Sequence, residues 1–218
     1  MIWTLGGSVI FATGVVMLWY WFFARWNRHR AHRLLMRIES AFGGNAQVTS
    51  IKWLSPSEFQ VQVELENCAF LRSALIVRML PREMPLSWII SRLKKRHETL
   101  TFEANLLCPP GFNLEVQNQR WSGNSRKRFM KKHTVVRLKH IGPFVISSRH
   151  DWERDITNMM QALSASRYCE LLSVSFRRTA PHFSATVALA AIEVQGYAPV
   201  RIFDALRELA SGASAARF

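Results

Sequence analysis

Acids are scarce in this chain, and cysteines scarcer. Fifteen Asp and Glu residues stand against 29 Lys and Arg in 218 residues, which leaves a net charge of +14. A surplus of that size points to an anionic counterpart, whether phospholipid headgroups, nucleic acid or an acidic protein. The three cysteines, Cys68, Cys108 and Cys169, are odd in number and widely spaced. That argues against a disulfide framework, and without a C-x-x-C pair no cysteine-built zinc site is expected. They read as small buried hydrophobes in a reducing compartment. No Walker loop, G-x-G-x-x-G or G-x-S-x-G motif occurs, so nucleotide-loop and hydrolase-elbow chemistry have no sequence support.

Charge is also missing from one end. Residues 2–24 contain no ionisable side chain except Tyr20. As a helix those 23 residues would extend about 34 Å, enough for a hydrocarbon core of about 30 Å. In lipid a helix satisfies its own backbone hydrogen bonds. The expectation is a transmembrane helix over 1–25, with Trp19, Tyr20, Trp21 and Trp26 at the headgroup boundary. A cleaved signal peptide fits less well: no basic segment precedes the apolar run and no small-residue cleavage site follows. Arg25, Arg28, Arg30 and Arg33 come immediately after, with His29 and His32 among them as interfacial polar residues. The positive-inside rule then puts the N-terminus outside and the C-terminal domain in the cytoplasm. A compact domain on one short anchor points to a bacterial inner membrane.

Beyond the anchor the composition suits a packed domain, with 49% hydrophobic and 20% charged residues. A basic juxtamembrane helix is expected over 26–44. Leu34, Leu35, Ile38 and Phe42 recur at helical spacing, and Gly43-Gly44 supplies a C-cap. A globular unit is expected over 45–210, with a sub-boundary near 118–133 and a frayed tail over 211–218. Strands are expected at 48–54 and around Phe59, Val61, Val63 and Leu65, joined through Ser55-Pro56-Ser57. A third strand, or alternatively the start of a helix, is expected over 70–80. Pro85 suits the first turn of a helix whose Leu86, Ile89, Ile90 and Leu93 form one apolar stripe. Leu100, Phe102, Ala104 and Leu106 alternate as a strand, as do Phe112, Leu114 and Val116. Two hairpins follow, one around Gly142-Pro143 and one pairing 169–176 with 183–191. Helices are expected from Asp151 and from Pro199.

A helix, a strand, a turn and an alternating strand thus occur twice, near 28–66 and near 151–191. Two α-β-β units imply an α+β fold of antiparallel sheet with helices on one face. In its order of elements, about a third of the chain resembles the small α-β-β modules of inner-membrane assembly proteins of pili and secretion machines. The resemblance implies an envelope-assembly component, with a topology opposite to the one the flanking arginines predict.

The sharpest functional signal is a run without acids. Between Glu115 and Asp151 lie Arg120, Arg126, Lys127, Arg128, Lys131, Lys132, Arg137 and Lys139, interleaved with Trp121 and Phe129. Cations of that density suit phosphate, on a lipid headgroup or a nucleic-acid backbone. A tethered domain meets lipid first, which favours lipid or a plainly solvated loop. Cys169 and His182 fall on neighbouring expected strands, but core packing explains the cysteine better than nucleophilic catalysis. Glu64 and Glu66 alternate with apolar residues and belong on a solvated strand face. The expectation is therefore a non-enzymatic, membrane-anchored interaction or scaffold protein with no metal or cofactor. The alternatives are a module binding anionic phospholipid or nucleic acid, and an envelope-assembly component.

Overall fold

A computed structural model describes residues 2–41, 46–65, 70–110, 113–118, 137–141, 144–148 and 171–193. Its elements are α1 (Ile2–Ala41), β1 (Ala46–Ser55), β2 (Glu58–Leu65), β3 (Phe70–Arg78), α2 (Pro85–Leu93), β4 (Thr99–Leu106), β5 (Leu114–Asn118), β6 (Arg137–Ile141), β7 (Phe144–Ser148), β8 (Leu171–Phe176), β9 (Phe183–Ala188) and α3 (Leu189–Glu193). Among the described residues the nine strands form one antiparallel sheet, in the order β1-β2-β3-β4-β9-β8-β5-β7-β6. The fold class is α+β.

Strict alternation of apolar and polar residues dictates which face of the sheet is buried, because successive side chains in a strand point to opposite faces. The pairing registers align the apolar positions in three rows. Phe59, Val77, Leu100, Val187 and Leu171 make one, and Val61, Leu75, Phe102, Ala185, Val174 and Val116 the next. Val63, Ser73, Ala104, Phe183, Phe176 and Leu114 make the third. All of these side chains are buried. The row is kept whole at Ser73 because its hydroxyl donates to the Val63 carbonyl, so the polar group is not left unsatisfied. Phe102 meets Phe70 edge-on at 5.6 Å and Phe183 at 6.0 Å between ring centroids.

Ala31, Leu34 and Ile38 of α1, and Leu189 and Ile192 of α3, complete this core. On the other face, Gln60, Gln62, Thr101 and Glu103 of β2 and β4 flank Ala74 and Ile76 of β3. Thr101 and Thr186 face each other there across β4 and β9, their Oγ1 atoms 3.2 Å apart.

Several expectations meet the structure directly. The turn at 55–57, the alternation in β2 and β4, and Pro85 in the first turn of α2 are all present. The strand expected over 183–191 ends at Ala188. There the Leu189 N–H donates to the Glu98 carbonyl at 2.9 Å, and the chain continues as α3. The apolar stripe of α2 does not enter the core: Leu86, Ile89, Ile90 and Leu93 are exposed, and the buried residue of that helix is Ser91.

Hairpins β1–β2 and β8–β9 correspond to the two similar segments of sequence. The hairpin β8–β9 lies between β4 and β5, so strands from both sides of 118–133 belong to one sheet. The helices expected from Asp151 and Pro199, the Gly43-Gly44 cap and the tail lie outside the described residues.

Among the described residues no helix is long and apolar enough to cross a membrane. The described side chains of α1 begin at Ile10. The structure therefore does not carry the transmembrane expectation over 2–24.

Candidate functional site

The distinctive chemistry of the described residues lies where α1 meets the β3–α2 connection. Positions 19, 23, 27, 30, 31, 34 and 38 recur at steps of three and four, so they share one face of α1. At its lower end that face is core: Ala31, Leu34 and Ile38. Towards the N-terminus it becomes polar and aromatic.

Asn27 is 1% exposed, and its Nδ2 donates to Oε2 of the buried Glu83 at 3.0 Å. Its Oδ1 has no hydrogen-bond partner among the described residues. Trp19 Nε1 donates to the Arg82 carbonyl at 3.0 Å, and its ring lies 4.6 Å from that of Phe23. Trp26 is flanked by two guanidinium groups, Arg82 at 4.5 Å and Arg30 at 5.7 Å from the ring centroid.

Glu98, immediately before β4, ties the junction together. Arg30 grips its carboxylate with both terminal nitrogens, at 2.9 and 2.6 Å. Arg82 approaches at 3.3 Å, and the Leu80 N–H donates at 3.2 Å. The Arg30 and Glu98 side chains are each 13% exposed. A two-pronged guanidinium–carboxylate contact fixes orientation as well as distance. The junction therefore clamps α1 to the sheet at a defined rotation.

The residues expected at a membrane boundary divide across this helix. Trp19 and Arg30 turn toward the domain, whereas Tyr20, Trp21, Arg25, Trp26, Arg28 and Arg33 are exposed. Arg25 lies 5.9 Å from the Trp21 ring centroid. Above the junction every residue from 10 to 18 is exposed, including Ile10, Phe11, Val15, Val16, Met17 and Leu18. A Cβ placed on Gly14 would meet nothing within 4 Å.

Of the basic segment, Arg137 and Lys139 lie on β6, an edge strand, paired with Ser148 and Ile146 of β7. Arg120, Arg126, Lys127, Arg128, Lys131 and Lys132 lie outside the described residues, as do Cys68 and Cys169. Cys108 is a free, half-buried thiol. His182 Nδ1 accepts from the Leu106 N–H at 3.2 Å, a structural use of that ring nitrogen. Glu64 is exposed, on an open trough of about 410 Å3 that also meets Arg72, Glu103 and Asn105.

Reading for motifs misses Glu83 and Glu98, the two acids that organise the junction. A signal was there: they are the only acids between Glu66 and Glu103, and isolated acids among arginines invite pairing. No protein-family model matches the chain, and no curated protein matches it.

Proposed function

We propose that this protein is a single-pass, membrane-anchored interaction module without catalytic activity. Its N-terminus lies outside and its α+β domain on the cytoplasmic face of a bacterial inner membrane. The observation that carries the reading is the continuity of α1. One 40-residue helix begins in apolar sequence, passes a ring of tryptophans and arginines, and ends in the core of the domain.

The exposed apolar side chains at 10, 11, 15, 16, 17 and 18 have no polar companion face. Covering an aliphatic or aromatic side chain is worth roughly 1.5–3 kcal/mol, so leaving this set in water would cost on the order of 10 kcal/mol. A bilayer removes that cost, and the uncharged sequence over 2–24 is long enough to span one. The arginines that follow it favour the cytoplasmic side. The clamp at Glu98 makes the anchor part of the domain, which suits a module that presents a surface to a partner at fixed height and orientation.

Two measurements test this. A reporter fused after Phe218 that is active only in the cytoplasm should be active, and the chain should resist alkaline extraction of membranes. Release by alkali would refute the anchor, and an inactive cytoplasmic reporter with an active periplasmic one would reverse the topology in favour of the envelope-assembly reading. Gentle solubilisation at native expression should recover the protein with a stoichiometric partner. Recovery of the chain alone would refute the interaction role.

A further inference from the structure

The exposed stripe on α2 has an occupant that the junction itself identifies. Leu86 and Leu93 are 77% and 78% exposed, Ile89 and Ile90 each 48%, and Met84 at the helix start 55%. An apolar stripe on a short helix ordinarily packs on the core; here Ser91 is buried instead and Trp88 half-buried.

Position along α1 explains the difference. Arg82 is held against Trp19 and Trp26, at the level of the aromatic and basic ring. Pro85 follows Arg82 by three residues, a reach of about 10 Å, and the nine residues of α2 add about 14 Å. The helix therefore starts within about 10 Å of the residue that packs on the tryptophans of α1.

Charge agrees. From Met84 to His97 there is no acid, and Arg92, Lys94, Lys95 and Arg96 follow the stripe. Exposed Trp53 and Leu54 lie beside the β1–β2 turn, which is joined to this end of the domain by the Met79 N–H donating to the Ser57 carbonyl at 2.8 Å. An aliphatic face with a cationic border, on a segment tied to α1 through Arg82, suits the headgroup–acyl boundary of an anionic bilayer.

We propose that α2 lies in the plane of that boundary, with Leu86, Ile89, Ile90 and Leu93 among the acyl chains and its basic end against anionic headgroups. This rests on the anchored reading above. It makes the domain a two-point membrane contact, with α2 fixing its tilt on the surface.

Spin labels test it on the full chain, in a background with the three native cysteines replaced by alanine. Leu86→Cys, Ile90→Cys and Leu93→Cys are labelled separately and reconstituted in vesicles of phosphatidylethanolamine and phosphatidylglycerol. Leu18→Cys reports on the anchor and Glu64→Cys on the aqueous side. At the three α2 sites and at Leu18, collision with dissolved oxygen should exceed collision with a water-soluble nickel chelate, and Glu64 should give the reverse. Water-like α2 sites with a lipid-like Leu18 would overturn the inference while leaving the anchor standing. A water-like Leu18 would overturn the anchor itself. Sites on α2 shielded from both collision partners would mean that a second protein surface covers the stripe, which also overturns the proposal.

Discussion

Glu98 illustrates how much one carboxylate can hold. It receives Arg30 from α1, and Arg82 and the Leu80 N–H from the β3–α2 connection. Glu98→Ala would remove the carboxylate that two guanidinium groups share in a largely covered site. Breaking a buried pair by removing one partner costs about 3–5 kcal/mol; with 13% exposure of the pair, a loss of roughly 2–4 kcal/mol is expected. Glu58→Ala is the internal comparison. Its partner Arg78 is 61% exposed, and such surface pairs contribute at most about 1 kcal/mol. Urea unfolding of both variants in the same detergent should separate them clearly. Equal losses would mean that the Glu98 cluster is no more than surface decoration.

The elements divide into those whose environment could be foreseen and those whose environment could not. Phe102 stands in the middle row between Leu75 and Ala185, and Phe102→Ala should cost about 3–5 kcal/mol, read as a shift in the unfolding midpoint. Its burial was legible because the alternation of β4 assigns every second residue to one face. The α2 stripe was equally legible as a pattern, but periodicity says only that a face is apolar, not what covers it. The inward turn of Trp19 and Arg30 had the same difficulty. A tryptophan beside an apolar run suits a lipid boundary, until the Arg82 carbonyl offers its N–H a partner. At the end of α2, Lys95 has φ 48°, a left-handed conformation that costs a β-carbon-bearing residue on the order of 1 kcal/mol. Lys95→Gly should therefore raise stability by roughly 0.5–1 kcal/mol, and a loss instead would place the lysine side chain in a stabilising contact.

For the whole molecule the governing feature is that α1 packs into the domain through one face at 19–38 while every residue from 10 to 18 is exposed. One alanine inserted between Leu18 and Trp19 would rotate everything above it by about 100° while leaving the helix–domain contacts intact, so the unfolding midpoint should hardly move. The same insertion after Ala24 would throw Trp19 and Phe23 out of line with Asn27 and Ala31. It would remove the Trp19–Arg82 hydrogen bond and lower the midpoint. Indistinguishable midpoints would show that residues 19–23 contribute nothing to the domain. The sheet order, by contrast, was beyond reach of local pattern. Both hairpins can be read from their turns, but nothing in either says that β8–β9 belongs between β4 and β5, since that pairing joins residues far apart in the chain.

That placement has a consequence for how the protein is made. The outer edge of β4 is covered by β9, whose first residue, Phe183, follows Leu106 by about 77 residues. At about 5–20 residues per second, a ribosome needs roughly 4–15 s to deliver it. Throughout that interval β1 to β4 can exist as a four-stranded meander with a bare row of backbone donors and acceptors along one side. Such an edge is a template for any extended chain nearby, including the same segment of another nascent copy. Translation speed between codons 107 and 183, rather than final stability, would then set how much of this protein escapes strand exchange with its neighbours.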